Sequence, residues 1–247
     1  MKELAMIKEI AFEIGDDCNL KSQHKKCPIN VRCYNKSYGK LTVDRIIKLM
    51  DEANKMGFEG YFAFHYYNEP LLYKDKLEEI INARPQNKYL LWTNGTLLNF
   101  NIENNKILNK FNQIVITCYD TKRLEFYKKI KNYYKNVQIA LWSLDDRINI
   151  YELPEENRTP CERVLVEIPI DYYGNVHLCC EDWNNEYVIG NIIKDSLRDI
   201  VKSKAYKLSR NMIENGQLKE ECPDICKKCY KKEIKENFNI ENLNGCI

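Results

Sequence analysis

Three cysteines near the start of the chain, Cys18, Cys27 and Cys33, stand with eight and then five residues between them. Thiolates brought to one point in this number can bind three irons of a 4Fe-4S cluster and leave the fourth iron open. They can equally bind zinc, with His24 as a fourth ligand. A second group, Cys161, Cys179, Cys180, Cys222, Cys226, Cys229 and Cys246, lies in the last third, with Cys226 and Cys229 as a Cys-x-x-Cys pair. Four thiolates again suit either iron–sulfur or a zinc ribbon. Eleven cysteines in a chain with no apolar secretion segment argue for metal ligation over a disulfide framework.

Positioning these groups requires a scaffold, and the apolar periodicity supplies one. Runs rich in β-branched and aromatic residues at Ile7 to Ile14, Tyr61 to Tyr67, Tyr89 to Thr93, Gln113 to Thr117, Val137 to Leu141 and Val164 to Ile170 read as buried strands. Between the first two, Thr42 can cap a helix whose stripe is Ile46, Leu49, Met50, Ala53 and Met56, ended by Gly57. Lys76 to Ala83 and Lys122 to Tyr133 are further helical segments. The alternation predicts βαβ units, a parallel sheet and an α/β partial barrel, with chemistry gathered at the carboxyl ends of the strands. Near residue 150 the pattern changes at Pro154, Glu155, Glu156 and Pro160, which divides the chain into a barrel over 1–150 and a second domain over 151–247. That second part is expected to hold a hairpin around Tyr173 and Gly174 and a helix from about Ser196 to Glu214.

The second strand ends in Phe64-His65-Tyr66-Tyr67-Asn68-Glu69-Pro70-Leu71-Leu72, and the third in Leu91-Trp92-Thr93-Asn94-Gly95-Thr96. A carboxylate such as Glu69 and exposed carbonyls are acceptors suited to an ammonium group, and Gly95 allows a turn to approach a ligand closely. With the cysteine loop, these segments resemble the radical S-adenosylmethionine superfamily, in order and in position. The resemblance implies a radical-type (β/α) barrel in which Cys18, Cys27 and Cys33 hold the catalytic cluster. It implies that Asn68, Glu69, Thr93, Asn94, Gly95 and Thr117 help to bind S-adenosylmethionine, and that Tyr34 stacks on its adenine. The spacing departs from the superfamily's Cys-x3-Cys-x2-Cys, and Tyr67-Asn68 stands where its glycine pair is usual.

Cys161, then Gly174 after twelve residues, Cys179 after four more, and Cys226-Lys227-Lys228-Cys229 resemble the auxiliary-cluster domain called SPASM, in its shorter twitch form. The resemblance implies a small C-terminal iron–sulfur domain with Cys161, Cys179, Cys226 and Cys229 as ligands, and so two 4Fe-4S clusters in all. It further implies hydrogen abstraction from a small hydroxylated substrate, a sugar or cyclitol, ending in dehydrogenation with the auxiliary cluster as electron acceptor. An electron donor such as flavodoxin or ferredoxin is then required. Arg147 stands where a family arginine lies near the reacting hydroxyl, although a surface ion pair with Asp145 or Asp146 accounts for it equally. His65 is suited by its pKa range to carry a proton, and equally to a structural hydrogen bond.

The net charge of +2, from 38 basic against 36 acidic residues, excludes a strong field for nucleic acid or an anionic membrane. No run of 18 uncharged apolar residues occurs, so the chain is expected in the cytoplasm, with no membrane and no nucleic-acid partner. Two rival readings remain open: a peptide-modifying maturase of the same superfamily, and a zinc-stapled binding protein without catalysis.

Overall fold

The computed structural model describes residues 3–24, 27–30, 32, 34, 36–141, 163–180, 182 and 185–214. Five strands of the first part, β1 (Glu9–Phe12), β2 (Tyr61–Phe64), β3 (Lys88–Thr93), β4 (Gln113–Cys118) and β5 (Val137–Leu141), pair in parallel as neighbours. Three further strands, β6 (Glu167–Ile170), β7 (Asn175–His177) and β8 (Val188–Asn191), continue the sheet on the other side of β1, giving the order β5-β4-β3-β2-β1-β6-β7-β8. β6 is parallel to β1, with Glu9 opposite Glu167, whereas β7 and β8 are antiparallel. The described part of the second segment is thus joined to the first through one sheet. The expected boundary near residue 150 lies outside the described residues.

The two faces of the sheet differ in composition for a simple reason. Alternate residues point to opposite sides. Ile10, Phe12, Phe62, Phe64, Leu91, Ile114, Ile116 and Ile139 fall on one face and join the main core. That core is closed by the helices α1 (Val43–Lys55), α2 (Lys74–Ala83) and α3 (Leu124–Tyr133). Ala11, Ala63, Leu90, Val115 and Ala140 form a separate cluster on the opposite face. Small side chains there leave room above them. α1 forms as its sequence requires: Thr42 accepts a hydrogen bond from the Arg45 amide at 3.2 Å, Ile46, Leu49, Met50 and Ala53 are buried, and Gly57 takes φ +84° beyond the end.

Two segments differ from expectation. Arg163–Val166 is one helical turn, α4, and the strand begins only at Glu167, because a short apolar run does not by its periodicity distinguish helix from strand. Val164 packs there on Leu178 and Cys179. The helix expected from Ser196 to Glu214 is two, α5 (Leu197–Lys202) and α6 (Lys204–Glu214). Ser203 between them is extended at ψ 153°, and its hydroxyl accepts from the Tyr206 amide at 3.1 Å, a second cap that ends one helix and starts the next. Among the described residues no helix is long and apolar enough to cross a membrane.

Candidate active site

At the carboxyl ends of the strands lies a cavity of about 240 Å³, lined by Cys18, Cys27, Asn68, Glu69, Thr93, Asn94 and Thr117 among others. Glu69 organises this end. It follows β2, is only 2% exposed, and meets three donors: Oε1 accepts from the Leu71 amide at 3.0 Å and from Thr93 Oγ1 at 2.7 Å, while Oε2 accepts from the Asn94 amide at 2.8 Å. Burial pushes its carboxyl up from the ordinary range, and these hydrogen bonds pull it back. A carboxylate has about four acceptor positions, so roughly one remains for a ligand. Glu69 is therefore foremost a staple between the ends of β2 and β3. Asn68 acts likewise toward β1, its amide oxygen accepting from the Ile14 and Gly15 amides at 2.9 and 3.0 Å.

Asn94 faces the cysteine loop. Its Nδ2 donates to Asn19 Oδ1 at 2.9 Å and approaches Cys18 Sγ at 3.8 Å, and its Oδ1 accepts from the Thr96 amide. Gly95 follows at φ +69°, where a Cβ would lie 2.7 Å from Ile116 Cγ2. The long stretch between Cys18 and Cys27 is folded by successive turns, from the Lys21 amide to the Cys18 carbonyl and from the His24 amide to the Leu20 carbonyl. Asn30 Nδ2 ties it from outside by donating to the Lys21 and His24 carbonyls at 3.2 and 2.8 Å. These turns bring Cys18 and Cys27 to the same cavity despite eight intervening residues. Burial pushes the Cys18 thiol up to about 11, so only a bound metal would keep it as thiolate at neutral pH. Two convergent sulfurs with an adjoining Asn and Glu fit the open-site cluster and ligand expected there. Cys33, Cys161, Cys226, Cys229 and Arg147 lie outside the described residues.

The opposite wall brings the expected His65 together with two residues that the sequence did not reveal, Glu9 and Glu167. Glu9, His65 and Glu167 place their ligand atoms within 4.8 Å of one another, His65 Nε2 is hydrogen-bonded to Glu9, and Arg163 Nε lies 3.8 Å from Glu167. Burial disfavours the imidazolium, but Glu9 outweighs it and raises the His65 pKa. A signal existed: Glu9 and Glu167 each interrupt an apolar strand, and a charged residue is buried only when paired. Cys179 is buried against Val164 and Leu178, whereas its neighbour Cys180 lines the cavity with Sγ 2.6 Å from Arg163 Nη1. Tyr34 is not among the lining residues. Its hydroxyl donates to Glu13 at 3.1 Å and its ring packs on Tyr173 at 4.9 Å, because the buried Glu13 and Arg32 draw it away from the cavity where adenine stacking was expected.

The fold with its cavity resembles the partial barrel of radical S-adenosylmethionine enzymes that carry a SPASM-type auxiliary domain. Residues 161–230 match the iron–sulfur cluster-binding domain SPASM. The S-adenosyl-L-methionine-dependent 2-deoxy-scyllo-inosamine dehydrogenase of Niallia circulans is 25% identical over 253 residues, taking in 91% of this chain and 93% of that protein. Among solved structures, BtrN in complex with AdoMet and 2-DOIA superposes with a TM-score of 0.70 at 23% identity, covering 91% of this chain and 93% of that one. A tagged form of anSMEcpe with bound AdoMet follows at 0.57 and 13%, covering 83% and 82%. The resemblance carried by the cysteine loop and the two strand-end motifs is thereby borne out.

Proposed function

We propose that this chain is a radical S-adenosylmethionine oxidoreductase that dehydrogenates a small hydroxylated substrate, a sugar or cyclitol, with an aminocyclitol such as 2-deoxy-scyllo-inosamine the first to try. The observation that supports it most is the convergence of Cys18 and Cys27 with Glu69, Thr93 and Asn94 on one cavity at the carboxyl ends of β1 to β4. Two 4Fe-4S clusters and S-adenosylmethionine supply, when bound, a 5′-deoxyadenosyl radical that takes a hydrogen atom from a carbinol carbon and an auxiliary acceptor for the electron released as the ketone forms.

The chain's own groups divide the remaining work. Cys18, Cys27 and Cys33 would hold the catalytic cluster, and Cys161, Cys179, Cys226 and Cys229 the auxiliary one. Glu69, bound to Thr93 and to the Asn94 amide, fixes the two strand ends against each other, so that Asn94 meets the amino-acid end of S-adenosylmethionine. Thr117 lines the same cavity from β4. Oxidation of an alcohol releases a proton as well as electrons. His65, whose Nε2 is hydrogen-bonded to Glu9 on the far wall, is placed to receive it at Nδ1 and to pass its Nε2 proton to the Glu9 carboxylate. Arg147 would orient the reacting hydroxyl. Reduction of the catalytic cluster calls for a small electron donor such as flavodoxin or ferredoxin.

The test is anaerobic purification and reconstitution with iron and sulfide, then counts of iron, sulfide and zinc for the wild type and for Cys18→Ala/Cys27→Ala/Cys33→Ala. About eight irons falling to about four are expected, because each 4Fe-4S cluster holds four. Stoichiometric zinc with no cluster uptake would overturn the proposal.

A further inference from the structure

One buried cation links the loop of the N-terminal cysteines to the hairpin that carries Cys179 and Cys180. Arg32 immediately precedes Cys33, and its side chain is wholly buried. Nη1 donates to both Glu13 oxygens, at 3.2 and 3.1 Å, and Nη2 to Asp171 Oδ2 at 3.4 Å, with His177 Nε2 at 3.3 Å. The guanidinium carbon lies 4.5, 4.4 and 5.1 Å from the ring centres of Tyr34, Tyr66 and Tyr67. Glu13 follows β1, Asp171 follows β6, and His177 ends β7 two residues before Cys179. Tyr66 and Tyr67 lead into Asn68 and Glu69, and the Tyr67 hydroxyl donates to the Cys180 carbonyl. Asp171 in turn holds the hairpin by accepting from the Tyr173 and Asn175 amides at 2.8 and 2.9 Å.

This arrangement is costly as a way of gaining stability alone. Burying a guanidinium and two carboxylates carries a large desolvation penalty for each ion, and apolar side chains of similar volume often hold a core at least as well. What the planar fork adds is geometry, since its donors and faces fix several partners at once. A second observation falls at the same place. Tyr66 is held at φ +102°, a conformation that a residue with a Cβ rarely adopts and that persists only where the surroundings over-determine it. Tyr66 lies between the cavity and the arginine, in contact with both.

We propose that Arg32 is a positioning residue that sets the separation of the two cluster sites, and with it the path by which the substrate's second electron reaches the auxiliary cluster. The proposal rests on the two-cluster reading above. On that path the carbinol radical loses one electron and one proton in becoming the ketone, the auxiliary 4Fe-4S cluster is reduced by one electron, and the proton goes to the His65–Glu9 pair. One guanidinium seated on β1, on β6 and against β7 holds the end of the cysteine loop in register with the auxiliary hairpin.

The experiment uses the full chain, reconstituted anaerobically and reduced with dithionite. Iron content of the wild type reports the two-cluster reading by itself: fewer than two clusters sinks that reading, whatever Arg32 does. With both clusters loaded, electron paramagnetic resonance of the doubly reduced protein reads their spin–spin coupling, which depends on separation. Arg32→Lys keeps the charge but loses the fork and the ring stacking. It is expected to retain its iron and to lose the wild-type coupling pattern. Wild-type coupling in a fully loaded Arg32→Lys would overturn the proposal, because a role in stability alone leaves the separation unchanged in molecules that fold. Should Arg32→Lys fail to load, Glu13→Gln, which removes one charge of the same contact and keeps its shape, is read by the same two outcomes.

Discussion

Replacing Glu69 with Gln separates its role as a staple from a role as ligand. In Glu69→Gln the amide oxygen can keep the Leu71 amide and the Thr93 hydroxyl, but the new NH₂ group faces the Asn94 amide, where Oε2 had accepted at 2.8 Å. One charge-assisted bond is lost, two donors oppose each other in a site 2% exposed, and the remaining two bonds weaken from charged to neutral. A bond to a charged group contributes about 1.5–3 kcal/mol, and a buried unsatisfied donor costs about 1–3 kcal/mol. The two figures overlap, so about 2–4 kcal/mol is expected in all. For a chain of this length each kcal/mol moves Tm by about 2–4 °C, so calorimetry of the metal-free protein should show a fall of roughly 4–16 °C. If the carboxylate served chiefly to bind an ammonium, the metal-free protein would melt as the wild type and only affinity for S-adenosylmethionine would drop. A Tm within about 2 °C of wild type would refute the staple.

Three further outcomes follow from single contacts. The His65 pKa is raised by Glu9, so the stability His65 contributes is fully present below the unfolded value near 6.5 and is lost as pH rises through the folded one. Urea melts of wild type and His65→Gln should therefore differ more at pH 6 than at pH 9, and a difference independent of pH would contradict the pairing. Gly95→Ala adds a Cβ 2.7 Å from Ile116 Cγ2 and 2.9 Å from Tyr127 Cε1 at φ +69°, and about 2–4 kcal/mol should be lost in equilibrium unfolding. Thr42→Ala removes the acceptor for the Arg45 amide and should cost about 1 kcal/mol in the same melts, with its circular dichroism otherwise unchanged.

What could be read from residues alone was whatever is encoded locally. The helix from Thr42 to Gly57 is written in its cap, its stripe and its final glycine, each of which acts within a few residues, and α1 has the same limits. Glu69, Asn94 and Gly95 stand in short motifs directly after strands, and parallel pairing brings such ends together without further information. The acidic wall was not legible because Glu9 and Glu167 meet only through the pairing of β1 with β6, whose partners are distant in sequence. The same limit applies to Tyr34. Its place beside Cys33 suggested the ligand, while its actual neighbours, Glu13 and Tyr173, come from the ends of two other strands. The turn at Val164 failed for a different reason, since three apolar residues carry no period.

β1 shows how one short segment divides the work of the molecule. Its outward residues, Ile10 and Phe12, belong to the core beneath the helices, and its inward ones read Glu9, Ala11 and, just past the strand, Glu13. The period of two places both carboxylates on the inner face, about two residue pairs apart. Glu9 meets His65 on the cavity wall, and Glu13 meets Arg32 beneath the cysteine loop. Ala11 between them, level with Ala63 on β2, leaves the space that a larger side chain would occupy. A buried carboxylate is tolerated only with a partner, and each of these two has recruited one from a different element. The same alternation that builds the core therefore also separates a proton-handling wall from a scaffold for the cluster loop along this one strand.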